Sequence, residues 1–188
     1  MATVIDAPAT SVTAAEFAEA AADFEGPVEL VRGEIVEMPQ PKPPHGTICA
    51  NICSEIQQWA KRSGLGVPSM ADGVQTEDRP DSVRAPDVFF TPYDRLPDRK
   101  APSEWYEVPP SLCVEVISDS ERWGDVQGKT SEYLAFGVDE VWLVEQDLRT
   151  LTIVRGDVPM RTVRGEDVVA SAVLPGFESK LTDFFWNC

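Results

Sequence analysis

Basic residues are scarce in this chain. Sixteen lysines and arginines stand against 32 aspartates and glutamates, a formal net charge of −16. A field of that sign repels a phosphate backbone, which excludes the broad basic face of an ordinary nucleic-acid binder. Histidine is scarcer still, with His45 alone. The four cysteines (Cys49, Cys53, Cys113, Cys188) form no CxxC pair, so a zinc cluster is poorly supplied. Cys49 and Cys53 stand one helical turn apart, a spacing that suits packing rather than a disulfide, and reduced thiols suit a cytoplasmic protein. No apolar run approaches the length that crosses a bilayer, so no membrane role is expected. Met1–Asp6 lacks the basic start and apolar core of a signal peptide.

What is present is enough for a core. With 188 residues and 43% hydrophobic content, the composition predicts one domain over residues 11–188 behind a disordered lead over residues 1–10. Much of the acidity is local: residues 1–40 hold eight acids against one base, Arg32. Basic residues gather at Arg79, Arg84, Arg95, Arg99 and Lys100, and again at Arg149, Arg155, Arg161 and Arg164. These groups read either as a local channel or as scattered solvated charge.

Thr13 with Glu16 predicts a capping box that opens a short helix. Val28–Met38 reads as a hairpin turning at Arg32-Gly33. The proline-rich segment Pro39–Pro44 must be an exposed connector. A helix over roughly 46–62 carries the apolar line Ile48, Ile52, Ile56 and Trp59, and Gly64 ends it. Strands are expected near 67–77, 84–91, 112–118 and 140–144, the last a continuous apolar run fit for a buried central strand. Thr150–Arg155 and a strand near 158–163 form a meander, and Leu181–Trp186 closes the fold. The order predicts an α/β fold with a mixed β-sheet core flanked by helices, an N-terminal hairpin and a C-terminal β-meander.

Lys129 stands out within this pattern. Val126, Thr130, Tyr133, Leu134 and Gly137 recur at helical spacing, and Lys129 falls inside their stripe. A helix packed by that face turns an ammonium inward, where an isolated charge is costly without an anion. Two upstream strands each carry an acid. In 112–118, Cys113, Glu115 and Ile117 share one face while Leu112, Val114 and Val116 share the other. Asp87 shares a face with Ala85 and Phe89. If both acids point the same way, they can bind one hard divalent cation through oxygen. Lys129 has a plainer reading as an exposed pair with Asp125 one turn away. Asp87 has one too, closing a turn after Pro86. Glu55 borders the apolar line of the long helix, either as a further acid for the site or as a solvated edge. His45, at that helix's start, reads as a substrate contact or as a cap.

Pro86-Asp87 on one strand and Glu115 on the next resemble the PD-(D/E)XK nuclease superfamily. Its usual lysine, two residues after the glutamate, is replaced here by Ile117. The wider pattern resembles the Uma-type restriction endonucleases of bacteria, through Glu29–Val36, His45, Pro86-Asp87-Val88, Pro110–Ser118, Asp125 with Lys129, Glu132-Tyr133 and Gly137–Trp142. The resemblance implies a restriction-endonuclease-like fold and Mg²⁺- or Mn²⁺-dependent hydrolysis of DNA. Asp87 and Glu115 would hold the metal, and Lys129, migrated to the following helix, would serve as the catalytic lysine. Glu29 and Glu34 match the family's hairpin, but nothing in their spacing brings either to the metal. A homodimer is expected, since two-fold symmetry suits cutting both strands of a palindromic site. Two other readings stand beside it: a catalytically silent module used for protein interaction or dimerisation, and a small-molecule phosphate hydrolase.

Overall fold

The computed structural model describes residues 11–118 and 122–188, so the expectation for residues 1–10 falls outside the described residues. Helix α1 (Ala14–Ala20) opens on Thr13 with the expected reciprocal capping box to Glu16. Strands β1 (Val28–Val31) and β2 (Glu34–Glu37) form the hairpin. Its two turn residues, Arg32 and Gly33, both have positive φ (49° and 79°), the twist that a tight hairpin needs. After the exposed proline connector comes helix α2 (His45–Ser63), which buries Ile48, Ile52, Ile56 and Trp59 and stops at Gly64 in the left-handed region.

The structure divides two of the expected strands. The run near 67–77 becomes β3 (Gly66–Ser69) and β4 (Val74–Glu77), which belong to different sheets. Between them Gly73 passes under Trp105, where a Cβ would come within 2.2 Å of the indole ring. The run at 84–91 becomes β5 (Ser82–Arg84) and β6 (Val88–Pro92). Pro86 has no N–H to give a ladder, and the chain changes sheets across it. Strand β7 (Leu112–Ile117), helix α3 (Trp123–Phe136) and β8 (Glu140–Glu145) form a parallel crossover, followed by β9 (Thr150–Arg155) and β10 (Val158–Arg164) as the meander. The short strands β11 (Val168–Ala170) and β12 (Glu178–Lys180) pair with each other and are not foreshadowed by the pattern; three residues give too little alternation to read. Helix α4 (Leu181–Phe184) ends the fold.

Among the described residues three sheets result, ordered β2-β1-β5-β4, β10-β9-β8-β7-β6-β3 and β11-β12. The six-stranded sheet is mixed and lies between two apolar layers. Ile48, Ile52 and Ile56 of α2 pack with Val114, Val116 and Trp142 on one face. Val126 and Tyr133 of α3 pack with Phe89, Cys113, Ile117 and Leu143 on the other. Each large side chain so buried contributes roughly 1.5–3 kcal/mol. The C-terminal Leu181, Phe184 and Phe185 are core, while Trp186 is 70% exposed. Among the described residues no helix is long and apolar enough to cross a membrane.

Candidate active site

The point where the chain leaves the four-stranded sheet and enters the six-stranded one is also where the charges meet. The β6–β7 register pairs Val88 with Val114 and Phe89 with Cys113, so one step further Asp87 lies opposite Glu115. Asp87 stands just before β6, and its Oδ2 accepts the Val116 N–H at 2.7 Å. Glu115 is 6% exposed. Its Oε2 takes the Lys129 ammonium at 3.2 Å, and its Oε1 accepts the Tyr133 hydroxyl at 2.6 Å. Lys129 and Tyr133 are one helical turn apart, so the face of α3 that packs on the sheet delivers both. The inward lysine expected from the stripe is therefore observed.

Lys129 has a second acid. Its Nζ lies 3.0 Å from Glu29 Oε1, on β1 of the other sheet. Glu29 also receives Arg84 Nη1 at 3.0 Å and the Ala85 N–H at 3.1 Å. Arg84 in turn forks onto Glu132 of α3, with Nε at 2.9 Å and Nη2 at 2.5 Å. The Thr76 hydroxyl completes Glu132's partners. A buried ladder of alternating charge thus ties β1, β5, β7 and α3 together. Such pairing is what makes buried charge tolerable at all.

Three carboxylates (Glu29, Glu115, Glu132) share two cations, Lys129 and Arg84, and Asp87 stands beside them on His45 and the Val116 N–H. Burial, and secondarily the nearby Asp87 and Glu29 charges, outweigh Lys129 and raise the Glu115 pKa to about 7. Burial alone would lower the Lys129 pKa, but Glu115 and Glu29 more than offset it, so the ammonium is held charged above its ordinary range. Glu132 moves the other way: Arg84 overcomes its burial and lowers its pKa. On the far side of Asp87, His45 Nε2 lies 3.3 Å from Asp87 Oδ2. The other ring nitrogen, Nδ1, is 3.5 Å from Cys49 Sγ.

Residues 14–182 match the family model Uma2, described as "Putative restriction endonuclease". That span is nearly the whole chain. The chain belongs to the Uma2 family. A search of curated proteins returned no match. Among solved structures, the chain resembles a crystal structure titled as a "putative nuclease belonging to DUF820" from Anabaena variabilis. The TM-score is 0.77 and the identity 18%, with 93% of this chain and 97% of that one covered. At that identity the likeness speaks for the fold, which is the expected mixed α/β architecture.

Within this Uma2 chain, Lys129 contacts Glu115, Asp87 stands opposite Glu115 across the β6–β7 register, and His45 lies 3.3 Å from Asp87. Glu55 does not join them; its Oε2 accepts from Ser179 Oγ at 3.2 Å, on β12. The residues that sequence reasoning leaves out are Glu29 and Arg84, with Glu132 and Tyr133 unassigned although they lie in the family pattern. Glu29 carries the same signal as Glu115, an acid inside an apolar strand, and it is 2% exposed. Arg84 belongs in sequence to a basic cluster that could line a channel. Its engagement with Glu132 and Glu29 removes it from any such role, and Arg95 is likewise tied to Asp139 at 2.5 Å.

Proposed function

We propose that this Uma2 protein is a divalent-metal-dependent endonuclease acting on DNA. The observation that carries the reading is one ammonium, Lys129, held between two buried carboxylates beside a third acid at a junction of sheets. The donor set fits a hard cation. Asp87 and Glu115 offer oxygen from facing strand positions, and burial, with the Asp87 and Glu29 charges secondary to it, leaves Glu115 costly to ionise until a cation joins it. A Mg²⁺ or Mn²⁺ bound there supplies positive charge that polarises a phosphoryl oxygen and acidifies water.

The chain's own residues do the rest. Asp87 and Glu115 fix the position of that charge, Asp87 being held in turn by the Val116 N–H and His45. Lys129 orients the attacking water and stabilises charge that grows on the phosphoryl oxygens as the new P–O bond forms and the bond to the leaving sugar oxygen breaks. Glu29 acts as a positioning residue that keeps Lys129 aimed and charged, and Arg84 holds Glu29 in place. The enzyme works as a homodimer in a reducing, cytoplasmic setting, which its four free cysteines suit.

One set of observations favours the silent-module reading: a net charge of −16 and basic side chains already engaged by acids. A plasmid assay at low salt with Mg²⁺ or Mn²⁺ separates the two. The wild type should nick, and Lys129→Ala should lose roughly 10²–10³-fold in rate. Equal nicking by both would expose a contaminant, and none by either would hand the case to the silent module. Light scattering on the same sample checks the dimer, which a mass near the monomer's 20.7 kDa would refute.

A further inference from the structure

We infer that His45, Cys49 and Asp87 form a binding site for a borderline divalent cation of the zinc class, beside the hard-metal position and sharing Asp87 with it. One ligand atom from each of the three residues can be chosen so that all lie within 4.8 Å of one another. Ligand edges in a tetrahedral zinc centre are about 3.3–3.7 Å, from Zn–S and Zn–N bonds of ~2.3 and ~2.0 Å. The His45 Nε2 to Asp87 Oδ2 contact, at 3.3 Å, already falls in that range, while Cys49 Sγ approaches the other ring nitrogen, Nδ1, at 3.5 Å. One ring nitrogen would serve as ligand, so on metal binding the imidazole gives up one of these two contacts and turns to bring the same nitrogen to both partners.

The framework is rigid where it needs to be. His45 and Cys49 are one turn apart on α2, and Asp87 is pinned by the Val116 N–H. Three protein ligands leave a fourth position for water, the pattern of an open rather than a structural zinc site. A lone histidine and the lack of a CxxC pair make the chain look poor in zinc ligands; the pairing that matters is His45 with Cys49.

The thiol decides the kind of cation. Magnesium and calcium take oxygen donors, whereas thiolate and imidazole select zinc and its neighbours. Burial, and then the charges of Asp87 and Glu115, hold the Cys49 thiol protonated far above its ordinary range. A thiol so held is a poor nucleophile, although the order Asp87–His45–Cys49 outwardly resembles a triad. The same negative surroundings attract a dication, whose binding releases the thiol proton to solvent. Because Asp87 serves both positions, zinc should also compete with Mg²⁺. That consequence rests on the nuclease reading; the site itself does not.

Cobalt(II) is the probe, because a thiolate ligand gives it a charge-transfer absorption in the near ultraviolet that needs no enzymatic activity. Titration of the wild-type protein should produce that band at one cobalt per chain, and Zn²⁺ should abolish it by displacement. Cys49→Ser should lose the band. Cys53→Ser, one turn further along α2, should keep it. His45→Gln should weaken cobalt binding by at least about tenfold. A missing band in folded wild type, a band that survives Cys49→Ser, or one that zinc leaves unchanged would each overturn the site. If the band appears while the plasmid assay shows no nicking, this inference stands and the nuclease reading falls.

Discussion

Glu115 and Glu140 lie on neighbouring parallel strands, β7 and β8, where Glu140 pairs with Leu112 and Glu115 with Leu143. Both are buried, at 6% and 1% exposure, yet their surroundings differ in kind. Glu140 is wrapped by neutral donors: Trp142 Nε1 and Ser171 Oγ, each at 2.8 Å on Oε1, and the Ala172 N–H at 3.4 Å on Oε2. Glu115 meets an ammonium, a phenol and the fields of two further acids. The first arrangement satisfies a carboxylate and ends there. The second leaves a surplus of negative charge that another cation can relieve. A buried acid is therefore a weak sign of function, while a buried acid crowded by other charges is a stronger one.

The largest break between the two should come from Lys129→Ala. It leaves Glu115 with no cation and Glu29 with Arg84 alone, and breaking a buried pair costs about 3–5 kcal/mol. Glu140→Gln removes no cation and should cost about 1–3 kcal/mol, the range for disturbing a buried hydrogen-bond set. Urea unfolding of both variants measures the gap. Equal losses would mean that the Lys129 ladder is no more demanding than the Glu140 wrapping. Nicking should persist in Glu140→Gln and drop by roughly 10²–10³-fold in Lys129→Ala.

Acidity provides the next contrast. With a folded pKa of about 7 against an ordinary 4.5, Glu115 keeps its proton in the native state across a window where the unfolded chain has released it. The native state then binds more protons, so this group's contribution to stability is full below 4.5 and is lost as pH rises through about 7. The loss is at most about 3 kcal/mol. Glu115→Gln cannot ionise and should flatten that slope in metal-free protein, whereas Glu140→Gln should keep it. Identical slopes for both variants and the wild type would remove Glu115 as the acid that carries the surplus.

Metal should then reverse the penalty. Mg²⁺ or Mn²⁺ at about 100 times its dissociation constant should stabilise the wild type by roughly 2.7 kcal/mol. Melting curves should show the shift in Glu140→Gln and lose it in Asp87→Asn and Glu115→Gln. A shift that survives both of the latter would place the cation elsewhere.

Much of this contrast is legible in the residue pattern. Strand alternation puts Glu115 on the face of Cys113 and Ile117, and helical spacing turns Lys129 inward; both follow from periods of 2 and 3.6 residues within single elements. Glu29 and Arg84 are harder to read because their role is set between elements. Whether Glu29 reaches Lys129 depends on how the first sheet abuts the second, and no local period encodes that. The sheet change across Pro86 is hidden for a related reason: proline tells where a ladder must break, but not that the chain joins different neighbours on either side. Glu55 misleads in the opposite direction, since an edge position on α2 is compatible with several neighbours and Ser179 is the one it meets.

The finest distinction is the Tyr133 hydroxyl. The ring is fully buried and packs with Val126 and Phe89, so Tyr133→Phe leaves the apolar layer in place and removes one oxygen. That oxygen's proton goes to Glu115 Oε1, and a hydrogen bond to an ionised acceptor is worth about 1.5–3 kcal/mol. The stability loss should lie at the low end, because at neutral pH Glu115 is ionised only part of the time. The more telling effect is directional. The phenol favours the carboxylate over the acid, so its removal should lift the Glu115 pKa further and move the stability slope to higher pH. Ser171→Ala removes a hydroxyl donor to Glu140, and with it the acceptor of the Val173 and Leu174 N–H groups, yet should leave that slope where it was. If Tyr133→Phe lowers stability without moving the slope, the hydroxyl is packing support and Lys129 alone sets the state of Glu115.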